Sequence, residues 1–390
     1  MNNNIIFAET TDGFPQKFTA NNSKTELIAR GLLNAGDDVT IINKIQGSEF
    51  IHKNVEQNSI NGLTYYSFKR YNTERFGYIK NLINQCKILK KLKQKNKNNI
   101  LIMGQPYFLV FLIEVFIYKI LGYKIGLIKT EWPSQIKSIK GIKKTDYWLS
   151  DNLFGYFIDI VFPISQYIEK KCLKFKKPIF KIPILANFHI NHSNQHTPPY
   201  DSQHYFLLCS TLAYIENITL VIDAFDIFSK DNSAHQFFLK LVLSGSKEKM
   251  EFIKQYILQN GTSSKVQIYN QIPYDELMSL YKNADGLLIP LQDSIQDKAR
   301  FSQKIAEYLS TQNPIITNNV GDIKLYFKDR YNAYIAKSYT KEAFAEIMNE
   351  IIQKPNESRK IGEEGYKTGL NNFDNIRVCK NLSNFISTLR

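Results

Sequence analysis

The sequence lacks the short motifs that usually mark a metal site or a nucleotide-cofactor site. Its four cysteines stand far apart and form no C-x-x-C pair: Cys86, Cys172, Cys209 and Cys379. This spacing fits a reducing compartment and argues against a zinc module or a disulfide scaffold. Neither a G-x-G-x-x-G stretch nor a Walker A lysine occurs, which argues against a dinucleotide or ATP site. No D-x-D stands at the end of a predicted strand, so the sequence predicts no metal.

Long apolar runs and a leader-like N-terminus are also missing. The longest apolar stretch, from Tyr107 to Ile128, is interrupted by Glu114, Lys119 and Lys124. These charges make the stretch a poor membrane span, and it predicts a buried helix followed by a strand. Met1 leads through three asparagines straight into a short strand, so no signal peptide is expected. Together these features predict a cytoplasmic protein.

Positive charge is what the sequence has in excess. Lysine and arginine number 50 and aspartate and glutamate 36, so the net charge is 50 − 36 = +14. Such a balance favours anionic partners, namely nucleic acid, an anionic membrane face or phosphate-bearing substrates. No nucleic-acid recognition motif is present, so nucleic acid is not predicted as a partner. A length of 390 residues suits two domains of ordinary size.

The first half opens with a strand, a helix and a second strand. Strands are predicted at Ile5–Ala8 and Val39–Ile42, with a helix over Thr25–Asn34 between them, which is a βαβ unit. The loop after the first strand contains Gly13, which is either a turn glycine or a point where the backbone approaches a ligand. Apolar residues recur at helical spacing from Tyr78 to Leu92 within a lysine-rich region. That helix is either an ordinary solvated helix or a surface that docks on anionic lipid.

The second half repeats the alternation of short apolar strands with helices. This alternation predicts a parallel sheet with both faces covered. We therefore expect an N-terminal domain over 1–187, a linker over 188–204, a second domain over 205–370 and a final helix over 371–390. The linker holds four histidines and two adjacent prolines, and a solvated linker is favoured over a metal site because no cysteine or paired carboxylate accompanies them.

The most informative stretch is ARFSQKIAEYLSTQNPIITNNVGD, which spans residues 299–322. It predicts a loop, a helix that starts at Gln303 after Ser302, and a short strand after Asn313-Pro314. Arg300 and Lys304 lie at the start of that helix, where cations are unfavourable unless an anion binds. The backbone N–H groups of the first turn would complete an anion site. The alternative is a solvated helix with an ion pair between Lys304 and Glu307.

This stretch resembles the donor-site signature of retaining glycosyltransferases of family 4, which have the GT-B fold. In that family a glutamate on the helix binds the ribose of a nucleotide sugar, and a G-x-P strand entry and a G-[ED] loop follow. Glu307 stands at the glutamate position, 313–316 reads N-P-I-I at the strand entry, and Gly321-Asp322 stands in the loop. The resemblance implies an α/β protein with two Rossmann-like parallel-sheet domains that face a central cleft.

Further matches follow the family's order through 205–370. Leu243 to Ser246 matches the glycine turn after the second strand, Ile272 to Leu277 matches the v-p-x-x-e-L segment, and YKNADGLLIP over 281–290 matches the Y-x-x-A-D strand. The resemblance therefore implies a donor site that contains these residues: Gly13, Gly245, Ser246, Ile272, Phe301, Ser302 and Glu307. It also implies that Glu131, in E-W-P after a predicted strand, lines the acceptor side, although a capping or surface carboxylate is the other reading.

Two positions depart from the family pattern. Ala299 stands where a second glutamate usually contacts the transferred sugar, and Thr211 and Glu216 stand where arginine and lysine usually neutralise the diphosphate. A diphosphate in a desolvated site needs cations to neutralise it. Arg300 and Lys304, with Lys247, are therefore predicted to replace the missing arginine and lysine. The final helix is expected to cross back onto the N-terminal domain.

The preferred hypothesis is a metal-independent retaining glycosyltransferase that uses a nucleotide-diphospho-sugar and no other cofactor. Arg300 and Lys304 would stabilise the leaving group, and Glu131 would act on the acceptor side. The acceptor would be a glycan or a lipid-linked glycan of a bacterial surface polysaccharide, with the basic N-terminal half on an anionic inner membrane face.

The second hypothesis is a degenerate GT-B protein that binds a sugar nucleotide or a partner without turnover. A nucleotide-sugar 2-epimerase is a third reading, but its acid/base set is not recognisable.

Overall fold

The computed structural model describes residues 3–8, 14–15, 19–43, 47–48, 51–71, 73–104, 107–136, 139–189, 203–231, 237–261 and 264–389. The chain divides into two compact units. The first unit contains residues 1–187, 298–303 and 373–390, and the second contains residues 188–297 and 304–372. The chain therefore passes from one unit to the other at four points.

The first unit is built on a seven-stranded sheet. Its strands are β1 (Asn4–Ala8), β2 (Asp38–Ile42), β3 (Val55–Ile60), β4 (Leu63–Phe68), β5 (Asn99–Met103), β6 (Lys124–Lys129) and β7 (Ile160–Pro163). They lie in the order β3-β4-β2-β1-β5-β6-β7. All neighbours pair in parallel except the β3–β4 hairpin, which is antiparallel and places β3 at the edge.

Helices connect these strands and cover the sheet. They are α1 (Ala20–Asn34), α2 (Glu74–Leu92), α3 (Phe108–Ile120), α4 (Ile142–Phe157) and α5 (Gln166–Cys172). Helix α1 starts earlier than the predicted Thr25, because the side chain of Thr19 accepts a hydrogen bond from the backbone N–H of Asn22 and caps the helix. Residues 20–24 thus belong to the helix.

The second unit has a six-stranded sheet in which every pair is parallel. Its strands are β8 (His204–Thr211), β9 (Phe237–Ser244), β10 (Val266–Tyr269), β11 (Gly286–Ile289), β12 (Ile315–Asn318) and β13 (Tyr334–Ala336). They lie in the order β10-β9-β8-β11-β12-β13. The helices are α6 (Ile215–Asp231), α7 (Lys247–Gln259), α8 (Tyr274–Lys282), α9 (Ile295–Ala299), α10 (Gln303–Leu309), α11 (Ile323–Tyr326), α12 (Lys341–Gln353) and α13 (Pro355–Asn372).

Each unit has its own apolar core between its sheet and its helices. In the second unit Phe206, Leu239 and Leu288 from the strands pack with Phe225 and Phe344 from α6 and α12, and all are buried. Strands that are buried on both faces read as short continuous apolar runs, which is why the sequence predicted most of them. The predicted α/β class with two parallel-sheet domains is confirmed.

The last helix, α14 (Asn375–Thr388), packs within the first unit. Its start is later than the predicted 371, because α13 runs through Asn372 and Asp374 then caps α14 by accepting from the N–H of Arg377 at 3.0 Å. Gly31 of α1 lets the two helices approach closely, since a Cβ at Gly31 would lie 2.5 Å from the carbonyl oxygen of Asn375 and 2.7 Å from Cys379.

The prediction of a buried helix at the start of 107–128 was wrong for one face of α3. Phe108, Phe111 and Val115 are buried, but Leu109 and Phe116 are 69% and 68% exposed. The inner residues face the sheet, whereas the outer ones have no covering layer. Among the described residues, no helix combines the length and the apolar character needed to cross a bilayer.

Candidate functional site

The strand order of the second unit defines one edge where a ligand can bind. From the central strand β8 the chain moves to β9 and β10 on one side, and later to β11, β12 and β13 on the other. The switch point therefore lies between β8 and β11. In open parallel sheets, loops at the carboxyl ends of the strands diverge at such a point and leave a crevice for ligands.

Side chains tie the start of α6 to the segment after β11 at this edge. The amide of Asn217 donates to the carbonyl oxygen of Pro290 at 2.9 Å, and its oxygen accepts from the hydroxyl of Tyr339 at 2.6 Å. The side-chain amide of Gln292 donates to the carboxylate of Glu216. Glu216, which stands at the family's lysine position, is thus held by a neutral amide.

Lys304 and Glu307 lie on α10, which precedes β12. A crossover helix runs antiparallel to the strands, so the first turn of α10 lies at the carboxyl edge of the sheet. The helix begins at Gln303, as predicted, and ends at Leu309. Within the described ranges, neither side chain has an ion pair or a hydrogen bond, so the alternative of a Lys304–Glu307 ion pair is not observed. Both residues are half-buried.

Burial changes the protonation of this region. Desolvation raises the pKa of Glu307 to about 7, and the charge of Lys304 offsets part of the rise. The pKa of Tyr274, the first residue of α8, is also raised, mainly by burial and then by the charge of Glu307. Since α8 likewise starts at the carboxyl edge, Tyr274 and Glu307 face the same region.

A buried aromatic pair fixes α10 against β8. The rings of Tyr281 and Tyr308 meet edge to face with centroids 4.7 Å apart, and both are fully buried. The backbone N–H of Cys209 on β8 donates to the hydroxyl of Tyr308 at 3.0 Å. Because Tyr308 follows Glu307 directly, this contact sets the position of the carboxylate.

Gly245 and Ser246 form the turn between β9 and α7, also at the carboxyl edge. A Cβ at Gly245 would lie 2.7 Å from the Cβ of Leu212, so the turn needs glycine to approach the loop after β8. The hydroxyl of Ser246 accepts from the N–H of Lys249 at 3.4 Å and caps α7. Ile272 lies in the loop before α8 and is half-buried.

Arg300 and Glu131 come together in the first unit. The guanidinium of Arg300 donates to Oε1 of Glu131 at 2.5 Å, and the two side chains are 30% and 45% exposed. Glu131 follows β6, so the contact lies at the carboxyl edge of the first sheet. Arg300 thus already binds an anionic oxygen, and that oxygen belongs to the chain.

The rest of residues 298–303 also packs within the first unit. The carbonyl oxygen of Ala299 accepts from the hydroxyl of Ser165 at 2.6 Å. Phe301 is buried and its ring meets that of Phe373 with centroids 5.6 Å apart. Gln303 exchanges hydrogen bonds with the backbone of Leu185. These contacts place Arg300 and Phe301 with the N-terminal sheet.

A buried ion pair stands beside Glu131 along the chain. Nζ of Lys129, the last residue of β6, lies 2.6 Å from Oδ1 of Asp151, and both side chains are almost fully buried. Oδ2 of Asp151 accepts from the N–H of Ser134 at 2.9 Å. Burial lowers the pKa of Lys129, and the charge of Asp151 opposes that shift. The pair anchors the loop that carries Glu131.

The predicted site residues therefore divide between the two units. The second unit brings Gly245, Ser246, Ile272, Lys304 and Glu307 to the carboxyl edge of one sheet. Arg300, Phe301, Ser302 and Glu131 belong to the first unit. Gly13 lies outside the described residues. No three histidine, cysteine or acidic side chains of the described part of the chain come close enough to hold a metal ion.

Sequence reasoning missed several residues that shape this edge. Tyr274 stands in the segment that contains Ile272, but an aromatic at a helix start gave no functional signal. The sequence predicts Tyr308 and Tyr281 as core residues, and both are buried in the core. Their contacts also fix the helix that carries Glu307. Asn217 and Gln292 link the start of α6 to residues 73 to 76 positions further along the sequence, and no local pattern predicts such a pairing.

The sequence of the second unit also resembles sequences of known proteins. The sequence profile described as glycosyl transferases group 1 matches residues 190–368. An uncharacterized glycosyltransferase of Methanocaldococcus jannaschii is 25% identical in an alignment that covers 42% of this chain and 43% of that protein. The match therefore spans less than half of the relative's length.

Solved structures resemble the chain over nearly its whole length. Sucrose-phosphate synthase from Thermosynechococcus elongatus has a TM-score of 0.71 at 13% identity, and the match covers 99% of this chain and 98% of that one. The Anabaena protein HepE, solved in complex with UDP-glucose, has a TM-score of 0.71 at 12% identity, with 98% and 99% covered. At this identity the likeness establishes the fold, which is GT-B. Residues 190–368 of this chain therefore resemble the glycosyl transferases group 1 family.

Proposed function

We propose that this chain is a retaining glycosyltransferase of the hexosyltransferase type. It moves a sugar from a nucleotide-diphospho-sugar to a glycan or lipid-linked glycan acceptor of a surface polysaccharide. The observation that carries the proposal is Glu307, a desolvated carboxylate at the switch-point edge with no bonded partner among the described residues. A carboxylate there can accept both hydroxyls of a ribose, and the family match supports a nucleotide sugar as the ligand. UDP and UDP-glucose are bound by a similar structure, HepE.

The proposed chemistry relies on leaving-group stabilisation. In a retaining transfer without an enzymic nucleophile, the diphosphate leaves as the acceptor hydroxyl attacks from the same face. Charge then develops on the departing phosphate oxygen, and a nearby cation lowers the barrier. Lys304 is a cation without an ion pair in the described part of the chain. We also assign this role to Arg300, for which a phosphate would compete with Glu131.

Gly245 and Ser246 are proposed to contact the donor through backbone, and Ile272 is proposed to lie beside the base. Phe301 and Ser302 remain proposed donor contacts at the start of the loop that leads to Lys304. No metal or further cofactor is needed in this scheme, because lysine and arginine carry the charge. We propose that the protein acts at the cytoplasmic face of a membrane, through its basic N-terminal half.

The test is binding and transfer with a panel of nucleotide-diphospho-sugars. Calorimetry should detect a donor for the wild type, and Glu307→Ala should weaken its binding at least tenfold, since the carboxylate that would accept from the ribose hydroxyls is lost. Glu251→Ala, which removes an exposed carboxylate of α7, is the matched control and should bind like the wild type. Transfer followed by NMR of the new anomeric bond tests retention. No binding of any donor by the wild type would refute the proposal.

A second candidate is a GT-B protein that binds a sugar nucleotide without turnover. Glu216 favours it, because a carboxylate held by Gln292 occupies the place where the family has a lysine. Ala299 and Thr211 also lack the family's functional groups. Donor binding without transfer or hydrolysis, across glycan and lipid-linked acceptors, would select this candidate.

A further inference from the structure

Helices α2, α3 and α4 form one continuous layer in the first unit. Each connects strands that advance in the same direction across the sheet, so right-handed crossovers place all three on one face. The hydroxyl of Tyr78 on α2 donates to Glu114 on α3 at 2.7 Å. The backbone N–H of Phe108 on α3 donates to Asp146 on α4 at 2.9 Å. These contacts fix the order α2, α3, α4 across the layer.

The outer side of this layer is apolar and open to water. On α3, Leu109, Ile113, Phe116 and Ile120 recur at helical spacing and form one stripe along the helix, with Ile120 69% exposed. The neighbouring helices and the residue before α3 add further exposed large apolar side chains: Phe76, Ile79, Ile83, Tyr107, Ile142, Trp148 and Tyr156. Contiguous apolar surface of this kind marks an interaction site on a folded protein.

Lysines lie at two ends of the layer. Lys87, Lys90 and Lys91 are at the end of α2, and Lys140, Lys143 and Lys144 surround the start of α4. All six are exposed, and none has an ion pair with a described residue. Positive charge therefore flanks the apolar stripe without local compensation.

Described acidic side chains of the three helices turn inward. Glu114 is buried against Tyr78, Asp146 binds the start of α3, and Asp151 is buried against Lys129. The outer face is thus apolar and cationic, with its described carboxylates engaged beneath it. A water-soluble protein partner could match the apolar part, but lysine clusters at both ends of the layer favour an extended anionic surface.

We propose that the outer face of α2, α3 and α4 docks on an anionic lipid bilayer. Leu109, Ile113, Phe116 and Ile120 would enter the headgroup region, with Trp148 and Tyr156 at the interface, where aromatic rings are favoured. The flanking lysines would bind anionic headgroups. The docking face refines the membrane location included in the proposed function, but it does not depend on sugar transfer.

The experiment is co-sedimentation of the full chain with phosphatidylcholine vesicles, with and without phosphatidylglycerol. The wild type should sediment with the anionic vesicles, and added salt should release it. Leu109→Ser/Phe116→Ser and, separately, Lys143→Glu/Lys144→Glu should each lower the vesicle affinity at least tenfold. Phe252→Ser/Leu258→Ser, which removes two exposed apolar residues of α7 in the second unit, should not change it.

Two further readouts separate the possible failures. Circular dichroism of each variant shows whether it is folded, and calorimetry with a nucleotide sugar shows whether the donor site is intact. Vesicle binding that Leu109→Ser/Phe116→Ser does not weaken would overturn the proposal. The proposal would also be overturned if the wild type does not bind vesicles but forms a concentration-dependent dimer by light scattering, and if Leu109→Ser/Phe116→Ser abolishes that dimer. Loss of donor binding with vesicle binding retained would count against the proposed function alone.

Discussion

At the scale of single residues, the buried groups at the two sheet edges are the most informative. Glu307 combines a raised pKa with a place at the switch point, and perturbed carboxylates in such a place are candidates for ligand binding. Lys129 and Asp151 are more deeply buried but satisfy each other, which marks them as structural. Glu307 has no bonded partner among the described residues, whereas Lys129 and Asp151 bind each other. The sequence alone does not show which of these groups has a partner.

Donor binding should depend on pH through Glu307. A carboxylate that accepts from two hydroxyls must be ionised, and its pKa of about 7 means that acidification protonates it. Below pH 7 we expect the donor affinity to fall about tenfold per pH unit, since binding must then release a proton. In Glu307→Gln the affinity should be weaker and nearly independent of pH. Calorimetry over a pH series measures both, and an unchanged slope in the variant would contradict the assignment.

Breaking the buried ion pair should destabilise the first unit. Asp151→Asn leaves the charge of Lys129 buried without compensation, which costs about 3–5 kcal/mol in the free energy of unfolding. Lys129→Met/Asp151→Asn removes both charges, keeps an oxygen for the N–H of Ser134, and should cost less. Both tryptophans of the chain, Trp132 and Trp148, lie in the first unit, so their fluorescence in urea reports its unfolding. Equal losses in the two variants would refute this account.

At the scale of elements, helix packing sets what the sequence could and could not predict. Short apolar runs identified most strands, and the predicted Ile5–Ala8 differs from the observed β1 by one residue, because a buried parallel strand leaves a continuous apolar signature. Helix ends were predicted less well, since capping by Thr19 and Asp374 depends on side-chain geometry. The exposed face of α3 was missed because an apolar pattern does not reveal whether a second layer covers it.

The same limit applies to the candidate site. Motif order identified Gly245, Ile272 and Glu307, because each is tied to a local turn or helix start. The pairing of Arg300 with Glu131 joins residues 169 apart in sequence, and it depends on how 298–303 packs. The position of Arg300 at a helix start suggested an anionic ligand. It could not show that Glu131 of the same chain binds the guanidinium.

The close approach of α1 and α14 predicts a steric effect at Gly31. A methyl group in Gly31→Ala would overlap the carbonyl oxygen of Asn375 and the side chain of Cys379. We expect a loss of about 1–3 kcal/mol, although alanine normally favours a helix. Gly31→Ala/Cys379→Ala should lose less than the sum of its single changes, because the sulfur is removed. Urea unfolding followed by tryptophan fluorescence measures the cycle, and strict additivity would contradict the contact.

Glu114 predicts how the packing of α2 on α3 responds to pH. Burial raises its pKa to about 7, from 4.5 for the exposed group, while the hydroxyl of Tyr78 lowers it slightly. The folded state therefore retains the proton between about pH 4.5 and 7 when the unfolded state has lost it. The raised pKa of Glu114 therefore makes the free energy of unfolding fall as the pH rises from about 4.5 to 7, by about 3 kcal/mol at most.

Glu114→Gln removes this pH dependence. At pH 8 the variant should be at least as stable as the wild type, because no buried charge forms, and at pH 4 the two should be similar. Urea unfolding of both proteins at each pH gives the difference directly. A wild type that exceeds the variant in stability at pH 8 would show that the ionised carboxylate is stabilising.

At the scale of the whole molecule, the C-terminal segment completes the first unit. Val378, Cys379, Leu382 and Ile386 of α14 belong to its apolar core. Removal of residues 373–390 should cost more than about 5 kcal/mol, since burial of each aliphatic side chain contributes about 1.5–3 kcal/mol. Tryptophan fluorescence should then show an unfolded or strongly destabilised first unit. Asn384→Ala, at an exposed position of α14, should leave the transition unchanged, and a truncated chain that unfolds like the wild type would refute the prediction.

The four passages of the chain between the units have a consequence for biosynthesis. During synthesis on a ribosome, the face of α1 that contacts α14 stays uncovered until the entire second unit has been translated. During that interval the nascent N-terminal sheet carries an uncovered apolar strip, which a molecular chaperone could shield. The second unit, by contrast, has its full complement of strands before α14 is translated, so it can mature first although it is encoded later.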